Sequence, residues 1–312
     1  RRYYSRTSIV NIQFALERIK AYIHTYVQEC KNEEVNALYG HLSYGKMLRS
    51  KLLLSISDMN EDALRVCALI EMIQSASLLH DDVIDESLTR RGIPSINATF
   101  GNKNAIMLGD VLYSKAFYEL SCLDVRLAQS VSSAVVRLSV GEIEDVKLSL
   151  SFHTDKERYI RMCADKTAAL IVAAAECGAI LKGLNKNIYR IYGENLGIAF
   201  QIIDDILDIT QDSQTLGKPS MSDFKEGKTT LPYMYLYEHL NADERSKLLE
   251  CYGVHLNEEK QAWIRMQLQK YNIIAQSVAD AQYYANKAIQ SIVNEGNEKL
   301  KDIVTQMIER TF

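Results

Sequence analysis

Apolar residues recur three and four positions apart along nearly the whole of the 312-residue chain. That spacing lines one face of an α-helix. Between Leu64 and Ile84 the stripe becomes almost continuous. It is too long for a strand, so the pattern predicts a helix buried on most sides. Comparable helical stretches run from about Tyr159 to Leu181, from Ile188 to Ile209 and from Lys260 to Ile292, and Lys166-Thr167 interrupts the first of them. Breakers are few and local. Gly92-Ile93-Pro94 is expected to end one helix and Gly217-Lys218-Pro219 another, while Gly183 to Asn187 makes a short loop. Asn257 to Glu259 and Asn294 to Asn297 separate the last helices. No linker rich in Pro, Gly or Ser divides the chain, so the expectation is one all-α helical domain over residues 1–312.

A 47% share of hydrophobic residues excludes wholesale disorder, and only three prolines argue against an all-β chain with many tight turns. No uninterrupted apolar run approaches the ~18 residues that cross a bilayer. Ala168 to Ala175 is among the longest, and no hydrophobic signal region follows Arg1 to Arg6. The expectation is a soluble, cytoplasmic protein. With 36 Lys and Arg against 40 Asp and Glu, the net charge of −4 offers no global field for nucleic acid. Any anionic ligand must be held by local clusters of Lys and Arg. Cys30, Cys67, Cys122, Cys163, Cys177 and Cys251 form no CxxC pair and read as free thiols, mostly buried.

Two carboxylate clusters carry the chemistry. Asp81-Asp82-Val83-Ile84-Asp85 and Asp204-Asp205-Ile206-Leu207-Asp208 share one DDxxD spacing, and each ends an apolar helical stretch. The first and last carboxylates of such a cluster lie about one helical turn apart and repel, unless a cation sits between them. Oxygen-only donors of this kind suit a hard cation, Mg²⁺ above all, which keeps waters and shares itself with phosphate oxygens. Cations follow at short range: Arg90 and Arg91 after the first cluster, Lys218 and Lys228 after the second. Upstream, Lys46 and Arg49 are three apart, as on one helical face, and Lys166-Thr167 lies within an apolar helix. Guanidinium and ammonium groups beside metal-binding carboxylates fit a diphosphate ligand.

In this order the motifs resemble the trans-polyprenyl diphosphate synthase family, closest to its long-chain, octaprenyl-type members. Asp81 to Asp85 with Arg90-Arg91 resembles the first aspartate-rich motif, DDxxDxxxxRR. Gln201 to Asp208 resembles the second, and Gly217-Lys218-Pro219 with Asp223 and Lys228 its sequel. The GGKRxRP motif is imperfect: Tyr44 stands for a Gly, Met47 for an Arg and Ser50 for a Pro, while Gly45, Lys46 and Arg49 are kept.

The resemblance implies an all-α isoprenoid-synthase bundle around a central cavity, and it implies roles. Asp81, Asp85 and Asp204 would bind Mg²⁺, about three ions sharing the substrate diphosphate. Asp82 and Asp208 would stand close behind them, with Asp205 counted in the catalytic set. Arg90, Lys166, Thr167, Gln201 and Lys218 would hold the allylic diphosphate, of the farnesyl or geranyl class, with Lys228 a weaker candidate. Gly45, Lys46, Arg49, Gln74 and Arg91 would form the isopentenyl diphosphate site. The allylic C1–O bond would break, the isopentenyl double bond would attack the cation, and a proton would leave, with released diphosphate as its acceptor. The resemblance also implies a homodimer, no nucleic-acid partner, transient membrane contact for product release and a product for a quinone side chain.

Ala76 and Ser77, four to five positions before Asp81, are small, where short-chain synthases resembling this chain place aromatic rings. A growing product would pass them, giving an octaprenyl-length chain that stops deeper, near Met72, Ile73 or a residue on a facing helix such as Phe152. A short-chain synthase and a non-catalytic subunit of a heteromeric synthase remain alternatives. A terpene cyclase is disfavoured by the second DDxxD and by Lys46 and Arg49. His80 reads as a satisfied helix histidine or a partner of a metal ligand, and Tyr233, Tyr235 and Tyr237 read as packing residues.

Overall fold

The hydrophobic periodicity becomes helix after helix in a computed structural model that describes residues 6–211 and 220–309. Contacts sort Arg1–Ser133 with Ala173–Arg190 into one compact unit, and Ala134–Val172 with Ile191–Phe312 into a second. Among the described residues the only strands are β1 (Thr89–Arg90) and β2 (Ile93–Pro94), so the chain is all-α.

In the first unit, α1 (Arg6–Gln28), α2 (Glu33–Gly40), α3 (Leu48–Ile56), α4 (Glu61–Ile84), α5 (Ile96–Phe100) and α6 (Asn102–Leu123) follow in order. Helix α4 starts where its sequence asks for a start. The Asn60 side chain accepts the Ala63 N–H, and Glu61 and Asp62 sit in the first turn, where the helix dipole favours acids. Its near-continuous stripe packs against α1, α3 and α6. By length and composition α4 would suffice to cross a bilayer, which a count of uninterrupted apolar residues did not reveal. Yet 67% of its apolar window is buried inside the protein, as in a core helix.

Two expectations are corrected here. Lys46 and Arg49 do not share a helical face, because Met47 is left-handed (φ 50°) and α3 begins only at Leu48. Gly92-Ile93-Pro94 does not end a helix: α4 stops at Ile84, and Arg91 (φ 54°) and Gly92 (φ 77°) form the tight turn of the β1–β2 hairpin. Two consecutive positive φ angles match the right-handed twist of paired strands.

In the second unit, α8 (Lys156–Cys163) runs into a π-helical turn, Ala164–Ala168, and the chain continues as α9 (Ala169–Lys182), whose residues from Ala173 onward belong to the first unit. The stretch read from Tyr159 to Leu181 is therefore one helical run with a widened turn at Lys166-Thr167. Glycines admit that turn. A Cβ on Gly141 of α7 (Val125–Leu148) would collide with the Lys166 backbone, and one on Gly197 of α10 (Lys186–Thr210) with Ala168. The run from Lys260 to Ile292 is two helices, Glu258–Lys270 and Ile273–Ser291, split at Asn272 (φ 53°), a residue type that tolerates the left-handed region. Phe152 lies in the loop after α7, not on a facing helix. Its ring packs against Tyr237 at 5.0 Å and Tyr252 at 5.6 Å. Tyr233 stacks on Phe224 at 4.0 Å, as a packing residue should. All six cysteines are free; Cys67, Cys163, Cys177 and Cys251 are buried, Cys30 is half-buried and Cys122 exposed.

Candidate active site

Asp81 and Asp82 occupy the last turn of α4, and Asp85 is its C-terminal cap, its N–H bonded to the Asp81 carbonyl at 2.8 Å. Three carboxylates thus crowd the negative end of a 24-residue helix whose last turn holds no basic residue. The dipole opposes that arrangement, so a cation must offset it. The structure divides the labour. Asp82 is buried and accepts two hydrogen bonds from the Arg90 guanidinium, that from Nε at 2.8 Å. Burial pushes its carboxyl up from the ordinary range, and Arg90 opposes the shift. Asp81 and Asp85 stay partly open, and Arg90 Nη2 reaches Asp81 Oδ2 only at 3.5 Å. Asn97 fastens the corner by donating to the carbonyls of Asp82 at 3.1 Å and Ser87 at 2.9 Å.

Arg91, held left-handed by the hairpin, donates to the Ser43 carbonyl. Its guanidinium lies over Gly45, where a Cβ would stand 2.9 Å from Cζ, so glycine is what lets these two residues meet. A cavity of ≈ 40 Å³ opens beside them, lined by His41, Ser43, Ser75, Asp82, Arg90 and Arg91 among others. Gln74 is half-buried on α4, Lys46 is exposed in the loop before α3, and Arg49 is half-buried in the first turn of α3. Ala76 is fully buried, whereas Ser77 is half-buried with its hydroxyl on the Gln74 carbonyl at 2.8 Å. His80 lies 3.0 Å from the Ile106 carbonyl and 3.5 Å from Asp110, with its ring edge-on to Tyr113.

The second cluster repeats the division. Asp204, Asp205 and Asp208 lie near the end of α10, whose last turn also lacks a basic residue. Asp205 is buried and accepts from the Tyr159 hydroxyl and from Gln201 Nε2, the latter at 2.7 Å. Gln201 Oε1 in turn accepts the Thr167 hydroxyl at 2.6 Å, so a continuous chain ties α8, the π turn and α10 together. Burial, then the charge of Asp223, pushes the Asp205 carboxyl well up, while Tyr159 and Gln201 oppose the shift. Asp208 is buried too. Its Oδ1 accepts the Ser222 hydroxyl at 2.8 Å and its Oδ2 the Asp223 N–H at 3.2 Å, which ties the start of the next described helix, Ser222–Lys225, to α10. Asp204 stays partly open.

The Lys166 ammonium, on the π turn, is held by Glu142 at 2.9 Å and Asp145 at 2.6 Å, both on α7. Lys228 lies 3.3 Å from Glu226. Gly217, Lys218 and Pro219 lie outside the described residues. Sequence reasoning missed Tyr159, Glu142 and Asp145. Only the i, i+3 spacing of the last two, starting one residue after Gly141, could have signalled a helix face built against Lys166.

The donors of each cluster suit a hard divalent cation. Asp81 and Asp85 in the first unit and Asp204 in the second offer only oxygen, and all three are partly open. Among the described residues no cluster of three or more His, Cys, Asp or Glu is gathered into a complete ion cage. An ion at either cluster would complete its shell with water and ligand oxygens, as small hard cations do.

The comparisons agree with this chemistry. The sequence pattern of the polyprenyl synthetase family matches residues 32–271. Geranylgeranyl diphosphate synthase of Sulfolobus acidocaldarius is 35% identical over 226 residues, 68% of each chain. The crystal structure of octaprenyl pyrophosphate synthase from Helicobacter pylori superposes with a TM-score of 0.90 at 46% identity, covering 95% of this chain and 99% of that one. Polyprenyl synthase from Caulobacter crescentus, solved with calcium and isoprenyl diphosphate, superposes with a TM-score of 0.88 at 27% identity over the full length of both chains. The chain belongs to the polyprenyl synthetase family: it is a prenyltransferase with the all-α isoprenoid synthase fold that uses isoprenyl diphosphates.

Proposed function

We propose that this enzyme is a Mg²⁺-dependent trans-prenyl diphosphate synthase that condenses isopentenyl diphosphate with an allylic diphosphate of the geranyl or farnesyl class. Elongation runs to about octaprenyl length. One observation carries the reading: in each DDxxD cluster a buried carboxylate is held by side-chain donors, Asp82 by Arg90 and Asp205 by Tyr159 and Gln201, while Asp81, Asp85 and Asp204 stay partly open. The locked groups set the direction of the open ones, which are the groups that hold metal. Bound Mg²⁺ supplies charge stabilisation to the departing diphosphate. The ion and isoprenyl diphosphate in the Caulobacter crescentus enzyme support this pairing of ligands.

The chain's own residues do the rest. Arg90, Lys166, Thr167, Gln201, Lys218 and Lys228 bind and orient the allylic diphosphate. Such fixed positive and polar groups stabilise charge as it develops on a leaving group. Gly45, Lys46, Arg49, Gln74 and Arg91 hold isopentenyl diphosphate. The allylic C1–O bond breaks, the isopentenyl double bond attacks C1, and the proton lost goes to the released diphosphate. What supports the octaprenyl length is the 46% identity to the Helicobacter pylori octaprenyl enzyme and the small residues Ala76 and Ser77 before Asp81.

A homodimer belongs to the same reading. What supports it is an apolar stripe on α7, where Val136 (65% exposed), Val140 (53%) and Ile143 (70%) recur at helical spacing. Such a stripe suits a self-complementary helix interface. Light scattering should give twice the 35.4 kDa chain mass, and a monomer at working concentration would contradict it. The catalytic reading is tested by turnover of isopentenyl diphosphate and farnesyl diphosphate with Mg²⁺ and after chelation. Full activity in the chelated enzyme refutes the metal assignment.

A further inference from the structure

The first turn of α3 lacks a cap of its own. Met47, at the N-cap position, is left-handed and makes no side-chain bond to the helix N–H groups. The first four N–H groups of a helix have no partner within it and need one from outside. Here the partner comes from α4. Glu71 Oε1 accepts the Ser50 N–H at 3.2 Å and the Ser50 hydroxyl at 2.7 Å, and the Cys67 thiol lies 3.7 Å from the Ser50 carbonyl. Ser50 is fully buried, so all three of its polar groups are held by α4. A carboxylate at the positive end of a helix is favoured both as a hydrogen-bond acceptor and by the dipole.

What this cap holds is specific. Arg49 is the residue before Ser50, and Lys46 lies in the loop that leads into α3. Three residues beyond Glu71 on α4 stands Gln74. Glu71 also acts on Arg91: burial and the neighbouring Arg90 press the Arg91 guanidinium down from its ordinary range, and the Glu71 carboxylate opposes them. Position 50 is Pro in the motif that this region resembles, and Pro has no N–H to satisfy. Ser50 brings a buried N–H and a hydroxyl instead, and Glu71 receives both.

We infer that Glu71 is a positioning residue for isopentenyl diphosphate: by capping α3 through Ser50 it fixes the turn that carries Arg49 and the loop that carries Lys46. The inference rests on the assignment of Lys46 and Arg49 to that substrate. Glu71 touches no substrate; it acts through the backbone it holds. Removing it loosens two cations that contact the diphosphate equally before and during the reaction, which raises KM and spares kcat.

The test measures kcat and both substrate KM values for wild type, Glu71→Ala, Ser50→Ala, Arg49→Ala and the double variant Ser50→Pro/Glu71→Ala. Glu71→Ala should raise the isopentenyl diphosphate KM about tenfold, the scale of one lost charge-assisted hydrogen bond. The allylic KM and kcat should stay within about twofold, since that part of the site is untouched. In the double variant, proline at the third helical position removes the stranded N–H and pre-sets φ, so KM should return to within about threefold of wild type. Ser50→Ala removes only the hydroxyl and carries the test if Glu71→Ala does not fold; it should raise the same KM by about threefold. An unchanged isopentenyl diphosphate KM in Ser50→Ala and Glu71→Ala, an equal rise in both KM values, or no rescue by proline overturns the inference. If Arg49→Ala raises the isopentenyl diphosphate KM while Glu71→Ala does not, the site assignment stands and only the positioning role falls. If Arg49→Ala leaves that KM unmoved, the site assignment itself is wrong.

Discussion

Tyr159→Phe deletes one oxygen from the chain that links Tyr159, Asp205, Gln201 and Thr167. Tyr159 is buried and its hydroxyl donates to Asp205, itself only 4% exposed. Phenylalanine keeps the ring packing, so no cavity of consequence opens. What is lost is one of the two side-chain donors that Asp205 accepts from among the described residues, Gln201 Nε2 being the other. A hydrogen bond of this kind is worth about 1–3 kcal/mol, depending on how much charge Asp205 carries. At ~2.1 cal/mol/K per residue, the 312 residues unfold with an entropy of about 0.65 kcal/mol/K. The melting temperature should therefore fall by about 1.5–4.5 °C. Activity should fall as well, because Gln201 is oriented by Asp205 on one side and by Thr167 on the other. Differential scanning calorimetry and steady-state turnover on the same preparations read both effects. A double-mutant cycle with Gln201→Leu isolates the coupling, expected at about 0.5–3 kcal/mol for residues in one network. Strict additivity, together with an unchanged melting temperature for Tyr159→Phe, would refute the idea that Tyr159 orders this half of the site.

Asp81→Ala and Asp204→Ala should each lower kcat by ~10²-fold or more, the scale of losing a principal electrostatic stabiliser; near-normal turnover in both ends the metal-clamp account. Ala76→Tyr should shorten the product to about fifteen to twenty carbons and, because Ala76 is fully buried, cost about 1–3 kcal/mol of stability by overpacking. Chromatography of a wild-type product from that variant shows that the chain does not pass Ala76. Burial presses the His153 imidazole below its ordinary range, so the unfolded chain takes a proton that the folded one resists. Stability should fall as pH drops through ~6.5, and His153→Gln should lessen that fall; identical melting curves from pH 5.5 to 8 for the two proteins refute it.

Legibility tracked the physics of each feature. The helices of both units could be read because burial of one face imposes a period; α4 could be read from Leu64 to Ile84, while its first turn, polar at Glu61 and Asp62 and capped by Asn60, lies outside the apolar stripe. The DDxxD clusters could be read because five residues hold them entirely. The π turn at Ala164–Ala168 could not, since one extra residue in an apolar run barely disturbs the period and the enabling glycines, Gly141 and Gly197, lie far away in sequence. Lys46 and Arg49 have helical spacing yet straddle a helix start, because Met47 takes a conformation that its residue type does not announce. The locking partners of the aspartates, Tyr159 for Asp205 and Ser222 for Asp208, are long-range contacts between unremarkable residues. Nothing in the local pattern marks them. Lys218 was read from its motif alone.

The central claim is elongation of an allylic diphosphate by this chain with a divalent cation. Its most direct test is to incubate the purified protein with radiolabelled isopentenyl diphosphate and farnesyl diphosphate, with Mg²⁺ or with a chelator, and to separate the products by chain length. The account predicts a ladder ending at about octaprenyl length with Mg²⁺ and no product with chelator. Product formation without divalent cation, or none from the isolated chain in Mg²⁺, would contradict it.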